Sequence, residues 1–214
     1  MSEILPYNAD DVHRLSDQVK QAVARGGIVA VPTETYYGLG VNPFDPQAVD
    51  RLVRIKGRPD GKPILVLIGN RGQLSMLVQE VSRTAKFLMD KFWPGPLTIL
   101  FTAAPSLPSN LTAGTGTIGV RCSSCGPLAA LLAVTGPLTG TSANRAGESP
   151  AQYASQVQDR LGQDLSLIVD AGPTPGGPPS TIIDARETVC VIREGAITRQ
   201  MLQDLLQTDG ILLR

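Results

Sequence analysis

The sequence predicts an α/β fold in which helices flank a single twisted sheet of mixed strand direction. Short apolar runs, typical of buried strands, alternate with helical periodicity through most of the chain. The 22 glycines and 17 prolines cluster at the joints between these segments, where they end helices and form turns. With 214 residues, 42% of them hydrophobic and 18% charged, the chain suffices for one globular core. We therefore expect one domain over residues 1–214.

The elements follow in order from these local signals. Helical periodicity runs from residue 11 to Gly26-Gly27, a typical carboxy-terminal cap, and a buried-strand run occupies residues 28–31. A second helix begins at Asp45-Pro46, because aspartate caps a helix and proline suits its first turn. Further strands are predicted at 64–68, 97–101, 118–121, 137–141, 165–169, 181–184 and 189–192. Further helices are predicted at 73–78 and 82–92 and from Pro127, Ser149-Pro150 and Thr198. The last two strands lie close enough in sequence to form an antiparallel pair.

Composition excludes several functional classes. Lys+Arg and Asp+Glu balance at 19 each, so any anion site must be local. The first residues do not resemble a secretory signal, and no apolar run is long enough for a membrane span. Three cysteines without an export signal favour a reducing cytoplasm and no membrane partner. The single histidine, His13, falls on a predicted surface helix, and Cys122 and Cys125 lack the further ligands of a zinc site. We expect no protein-built metal site.

Two polar constellations predict a cleft for a polyanion. They are Lys56-Gly57-Arg58-Pro59 and Thr141-Ser142-Ala143-Asn144, and residues two apart in an extended segment point the same way. Glycine and proline interrupt the basic stretch 54–63, which we interpret as a loop; a merely solvated basic loop is the alternative. Ser149, at the expected helix start, would offer free backbone N–H groups to an anion.

A loop rich in threonine and glycine, residues 32–40, leaves the carboxyl end of the first buried strand, where ligands bind in open α/β sheets. Neither the phosphate-binding sequence G-x-x-x-x-G-K-[ST] nor the dinucleotide fingerprint G-x-G-x-x-G occurs. A nucleotide would therefore bind by an uncommon arrangement.

Six motifs, in this order, resemble those of the YrdC family and cover residues from about 25 to 195. They are Pro32-Thr33-Glu34-Thr35-x-Tyr37-Gly38-Leu39-Gly40, Lys56-x-Arg58, Trp93-Pro94-Gly95-Pro96-Leu97-Thr98, Val120-Arg121, Ser142-Ala143-Asn144 and Ser180-Thr181-Ile182-Ile183-Asp184. The family consists of threonylcarbamoyl-AMP synthases, which are nucleotidyltransferases. The resemblance implies a YrdC-like fold with a concave basic cleft. It also implies that L-threonine, bicarbonate or CO2, and ATP give threonylcarbamoyl-AMP and pyrophosphate for tRNA modification.

The resemblance also implies a set of site residues. Catalytic roles would fall to Lys56, Arg58, Ser142 and Asn144; ATP contacts to Lys56, Thr117, Ser142, Ser149 and Arg193; threonine contacts to Thr33, Arg121, Gly140 and Ser180. Magnesium would accompany ATP, and a tRNA threonylcarbamoyltransferase would receive the product. Cys122-Ser123-Ser124-Cys125 departs from the family, where a proline commonly follows the arginine strand. The extra carboxy-terminal domain of longer relatives is not expected here, so the cleft would close through its own loops.

Three alternatives stay open at this point. The first is an RNA-binding module of the same fold that acts on tRNA or ribosomal RNA, or weak tRNA binding beside catalysis. Balanced charge and only 4% aromatic residues weigh against strong RNA binding. The second is a carbamoyl-transfer domain like that of hydrogenase-maturation proteins, whose additional domains do not fit in this chain. The third is a paralogue without the reaction, although such proteins often lose motif pairs that are intact here. For an enzyme, replacing Lys56 or Arg58 by alanine is expected to abolish product and leave the fold intact.

Overall fold

The structure, a computed structural model, describes residues 2–57 and 63–213 and has a mixed α/β fold. The predicted fold class is confirmed, but the prediction of one sheet is wrong, because the strands divide into two sheets. In the described part the strands are β1 (Glu3–Pro6), β2 (Val29–Val31), β3 (Gly38–Gly40), β4 (Val66–Ile68), β5 (Leu97–Thr102), β6 (Thr117–Cys122), β7 (Leu138–Thr139), β8 (Thr141–Ser142), β9 (Leu167–Asp170), β10 (Thr181–Asp184) and β11 (Cys190–Arg193). The α-helices are α1 (Val12–Ala24), α2 (Pro46–Lys56), α3 (Arg83–Phe92), α4 (Gly126–Thr135), α5 (Ala154–Leu161) and α6 (Arg199–Thr208). Two 3₁₀ helices span Ala9–Asp11 and Arg71–Met76.

Both sheets are mixed. The five-stranded sheet has the order β1-β9-β2-β3-β8, with parallel pairs on the β9 side and antiparallel pairs around β3. The six-stranded sheet has the order β11-β10-β5-β6-β4-β7, and its β10–β11 pair is antiparallel as predicted. The strand predicted over 137–141 is split at Gly140, where the chain leaves the six-stranded sheet as β7 and enters the five-stranded sheet as β8. Gly140 therefore marks the junction between the sheets.

Side chains cap three of the helix starts that the sequence predicted. Asp45 Oδ1 accepts hydrogen bonds from the N–H groups of Gln47 (2.9 Å) and Ala48 (3.1 Å), and Ser82 and Thr198 cap α3 and α6 in the same way. These caps satisfy N–H groups that have no partner within the helix.

The predicted helix start at Ser149-Pro150 is wrong, because α5 begins at Ala154. Gln156 Oε1 accepts from the N–H of Gln152 at 2.9 Å, so the capping contacts of this helix form three residues after Ser149. Ser149 is instead exposed in the preceding loop, where its carbonyl accepts a hydrogen bond from Arg160 Nη1 at 2.7 Å. It therefore lacks the helix N–H groups that were to make it an anion contact.

Two hydrophobic clusters hold the sheets in place. The larger one joins them, with Leu39 of the five-stranded sheet and Ile99 of the six-stranded sheet both fully buried in it. The second packs α1 and α4 together over β2 and β4 through residues such as Val19 and Leu131. None of the helices in the described residues has the length and apolar character needed to cross a membrane.

Candidate functional site

A cavity of about 620 Å³ lies on one face of the six-stranded sheet. Its floor carries Thr98 and Leu100 of β5, Gly119 and Arg121 of β6, and Ile182 of β10. Side chains alternate between the two faces of a strand, so the residues between these pack into the core on the opposite face. The volume falls within the range of small-molecule sites, roughly 300–1,000 Å³. The cavity is therefore large enough for a nucleotide-sized ligand.

The structure brings most of the predicted site residues to this cavity. Those that line it are Thr33, Lys56, Arg121, Gly140, Ser142, Ser180 and Arg193. Asn144 lies directly behind Lys56, whereas Thr117 and Ser149 are outside the described lining. Thr117 Oγ1 instead pairs with Thr115 Oγ1 at 2.8 Å. Arg58 lies outside the described residues. The roles assigned to all these residues stay predictions.

The two polar constellations meet through Lys56. This residue is the last of α2, so the interpretation of stretch 54–63 as a loop was wrong at this position. At 7% exposure it is not solvated either, and the helix ends one residue later at Gly57, whose φ is +55°. Lys56 Nζ donates to the carbonyl oxygens of Ser142 (2.5 Å) and Asn144, and the side-chain oxygens of both residues lie 3.4 Å away. The ammonium group therefore fixes the turn that follows β8 while it borders the cavity.

Asn144 secures the other side of the same turn. Its Nδ2 donates to the carbonyl oxygens of Arg145 and Glu148, both at 2.8 Å. Asn144 is 8% exposed. These contacts hold the turn behind Lys56 and Ser142, and Asn144 is not among the described lining residues of the cavity.

Arg121 is the most buried cation among the described residues that line the cavity, with 5% of the residue exposed. Its Nε lies 3.2 Å from Glu34 Oε1, but the two atoms are not aligned for a hydrogen bond, and neither has another hydrogen-bond partner. Glu34 Oε2 accepts a hydrogen bond from Ser123 Oγ at 2.6 Å. Burial lowers the pKa of Arg121, and the Glu34 carboxylate opposes that shift. Sequence reasoning gave Glu34 no role, although it stands inside the threonine-rich motif.

Ser180 and Arg193 form a second polar corner. Arg193 Nη2 donates to the carbonyl oxygen of Ser180 at 2.7 Å, and the Ser180 and Thr98 hydroxyls are 3.0 Å apart. The resemblance assigned Ser180 to the substrate L-threonine and Arg193 to ATP. In the structure these two residues are direct neighbours.

The segment 171–180 lies against the threonine-rich loop and supplies part of the cavity wall. Tyr37 Oη donates to the Gly172 carbonyl at 2.7 Å and lies 3.3 Å from Asp170 Oδ1. The N–H of Gly176 donates to the Thr35 carbonyl at 2.7 Å. Burial, followed by the nearby Asp170 charge, raises the pKa of Tyr37 above its ordinary value. Near neutral pH, Tyr37 therefore stays protonated and keeps the hydrogen bond that anchors this part of the cavity wall.

The charge of the cavity is positive among its described lining residues, which include Lys56, Arg121 and Arg193 but no aspartate or glutamate. Glu34, just behind the lining, offsets Arg121. The expected basic cleft stays a prediction, because Arg58 and Lys62 lie outside the described residues. Within residues 2–57 and 63–213, no three His, Cys, Asp or Glu side chains come together as a metal site.

The family model of the Sua5/YciO/YrdC proteins, described as "Telomere recombination", matches residues 21–195. The chain belongs to this family. One relative, the threonylcarbamoyl-AMP synthase of Alkalilimnicola ehrlichii, is 40% identical in an alignment of length 184, and the match covers 82% of this chain and 95% of that protein. The predicted resemblance is confirmed.

Solved Sua5/YciO/YrdC structures have the same fold. Pyrococcus abyssi Sua5 complexed with L-threonine superimposes with a TM-score of 0.89 at 28% identity, covering 100% of this chain and 62% of that one. Escherichia coli YciO gives a TM-score of 0.82 at 30% identity, covering 92% of this chain and 97% of that one. The chain thus spans less than two thirds of the Pyrococcus protein but nearly all of YciO.

Proposed function

We propose that this chain is a threonylcarbamoyl-AMP synthase that joins L-threonine, bicarbonate or CO2, and ATP, with release of pyrophosphate. The observation that carries the proposal is the cavity itself, in which Arg121 and the Lys56–Ser142 pair line one continuous space. The 40%-identical relative of nearly the same length carries this name, and L-threonine is the ligand named for the Pyrococcus Sua5 structure.

Arg121 is the group best suited to the threonine carboxylate. A guanidinium binds a carboxylate through two parallel hydrogen bonds, and this one borders the cavity with its Nε side occupied by Glu34. Thr33 and Ser180 add hydroxyl groups to the same lining. The amine of a threonine held in this way would point into the open part of the cavity, where a carbamate can form.

The Lys56 side of the cavity suits the nucleotide phosphates. The carbamate oxygen must attack the α-phosphate, so two anions have to approach each other, and the leaving pyrophosphate carries further charge. A fixed ammonium group and the Ser142 hydroxyl would lower that repulsion without a protein nucleophile. Arg193 supplies a third charge at the Ser180 corner.

Magnesium would enter as part of the ATP substrate. Mg²⁺ prefers oxygen ligands and is often held by substrate phosphates with few protein carboxylates. The described lining offers hydroxyl groups but no carboxylate, which fits a nucleotide-borne ion better than a resident one. The ion would neutralise phosphate charge, and the residues named above would position the reactants.

The test is an assay without RNA. The purified protein is incubated with labelled L-threonine, bicarbonate, magnesium and ATP, and the adenylate is detected by mass together with released pyrophosphate. We expect threonine-dependent product, strongly reduced in Arg121→Gln and normal in Arg199→Gln, an exposed arginine on α6. No adenylate from the wild-type protein would refute the proposal, and product only after tRNA addition would favour the RNA-binding alternative.

Transfer of the product to a tRNA threonylcarbamoyltransferase, weak binding of tRNA and a cytoplasmic location belong to the same proposal. A coupled assay with such a transferase and unmodified tRNA would test the first, and a filter-binding titration the second.

A further inference from the structure

We propose that Glu34, held in place by Ser123, is the positioning residue that fixes the Arg121 guanidinium for the carboxylate of the amino-acid substrate. The inference rests on the proposed function, because it assigns Arg121 to that carboxylate. It adds a role for two residues, Glu34 and Ser123, for which the family motifs suggested none.

The pair joins the two sheets beneath the cavity. Arg121 lies on β6 of the six-stranded sheet, and Glu34 lies between β2 and β3 of the five-stranded sheet. The side chains are only 7% and 12% exposed. A buried cation without a counter-charge is costly, and a long arginine side chain can avoid that cost by turning toward solvent. Glu34 therefore keeps Arg121 at the cavity floor.

Glu34 is itself held by Ser123. The Ser123 hydroxyl accepts from the Cys125 N–H at 3.2 Å, so its own proton is directed to Glu34 Oε2 at 2.6 Å. Ser123 is 1% exposed, so the serine side of this contact is shielded from solvent. The carboxylate is thus oriented before any ligand arrives.

The printed contact of the ion pair lies at the Nε edge of the guanidinium. Glu34 contacts the Nε side, and no acceptor among the described residues forms a hydrogen bond with Arg121. The arginine also lines the cavity. The terminal nitrogens are the pair that a substrate carboxylate would engage in a two-point contact.

Glu34 has two opposing effects on such a ligand, and their difference makes the proposal testable. It orders the guanidinium, which strengthens binding, and its negative charge repels the substrate carboxylate, which weakens binding. If Glu34 were only a neutralising charge, its removal would tighten the binding of threonine. If it positions Arg121, its removal weakens that binding.

The experiment compares Glu34→Gln, Ser123→Ala and the control Ser124→Ala, an exposed hydroxyl in the same loop. For each we would measure kcat, KM for L-threonine, KM for ATP, and inhibition by L-threoninol, in which an alcohol replaces the carboxylate. Loss of the buried counter-charge that orients Arg121 predicts a rise of about tenfold or more in KM for threonine with Glu34→Gln. Ser123→Ala should shift it less, in the same direction, and Ser124→Ala should not change it.

The remaining readouts separate positioning from general damage. KM for ATP and inhibition by L-threoninol should stay at wild-type values, because neither involves the carboxylate contact. A lower KM for threonine in Glu34→Gln, or an equal rise in both KM values, would overturn the inference. If Glu34→Gln does not fold, the same comparison with Ser123→Ala decides.

Failure of this inference differs from failure of the proposed function. If the wild-type protein makes adenylate but Glu34→Gln behaves as wild type, only the positioning role falls. If the wild-type protein makes none, the proposed function falls, and calorimetric binding of L-threonine to both proteins still tests Glu34.

Discussion

Replacement of Lys56 by methionine should destabilise the fold as well as impair the site. Methionine keeps the apolar stem of the side chain but removes the ammonium that binds two backbone carbonyls in the turn after β8. At 7% exposure, the side chain is largely shielded from water. The earlier expectation that Lys56→Ala leaves the fold intact assumed an exposed loop cation, and the structure contradicts that assumption.

The magnitude follows from these contacts. Each hydrogen bond to a charged group contributes about 1.5–3 kcal/mol, so two give roughly 3–6 kcal/mol. Two effects reduce this loss of stability. Water from the adjoining cavity can hydrate the two carbonyls that lose the ammonium, and the folded state no longer carries the free-energy cost of a buried charge. We expect a net decrease of about 2 kcal/mol in the free energy of unfolding, or a Tm lower by about 4–8 °C for a chain of this size.

Urea unfolding followed by fluorescence of Trp93, the single and buried tryptophan, measures this change. The control is Lys20→Met, which makes the same substitution at an exposed position of α1. A shifted midpoint at unchanged slope would report stability alone. Equal midpoints for Lys56→Met and Lys20→Met would refute the view that Lys56 secures the turn.

Three further predictions concern packing and titration. Gly140→Ala would place a Cβ 2.5 Å from Leu67 Cγ in the core, so we expect the free energy of unfolding to fall by about 1–3 kcal/mol. The control Gly126→Ala has open space around the new Cβ and should leave the free energy of unfolding unchanged. Because the pKa of Tyr37 is raised in the folded state, the protein should lose stability as pH rises above the ordinary tyrosine value of about 10, and urea midpoints should fall less over that range in Tyr37→Phe. Burial also raises the pKa values of the Cys122 and Cys125 thiols, so both should react slowly with iodoacetamide at neutral pH; rapid labelling of the native protein, detected by mass, would instead indicate an activated pair.

Local signals predicted most elements but not their arrangement into sheets. The helix caps at Asp45 and Thr198 were readable because each depends on contacts within three residues. The division into two sheets was not, because a strand's partner is chosen by packing across the whole chain. Strand β1 was missed for the same reason: its four residues pair with β9, more than 160 positions away, and its own sequence has no distinctive pattern.

The site was predictable as a set of residues and not as a set of contacts. Residue types and family motifs brought Lys56, Ser142 and Arg121 into one proposal, and the structure places all three at one cavity. The partner of Arg121 could not be read from the sequence, because Glu34 lies 87 positions away and meets it only where the two sheets face each other. Glycine and proline after Lys56 also concealed that α2 extends through it.

The contacts of the two buried cations suggest how the cavity can be ready before substrates bind. Lys56 is fixed by carbonyls of one turn and Arg121 by a carboxylate from the other sheet, so neither charge has to reorganise when the anionic reactants arrive. Preorganised charge is the largest single contribution that a protein makes to reactions between like-charged groups. For Arg121 and Glu34 this arrangement lowers the stability of the folded state, because a buried ion pair is often less stable than apolar residues of the same size. Variants in which apolar side chains replace both Arg121 and Glu34 should therefore lose activity even where they keep the stability of the wild-type protein. An ion pair with a purely structural role would not show this loss of activity.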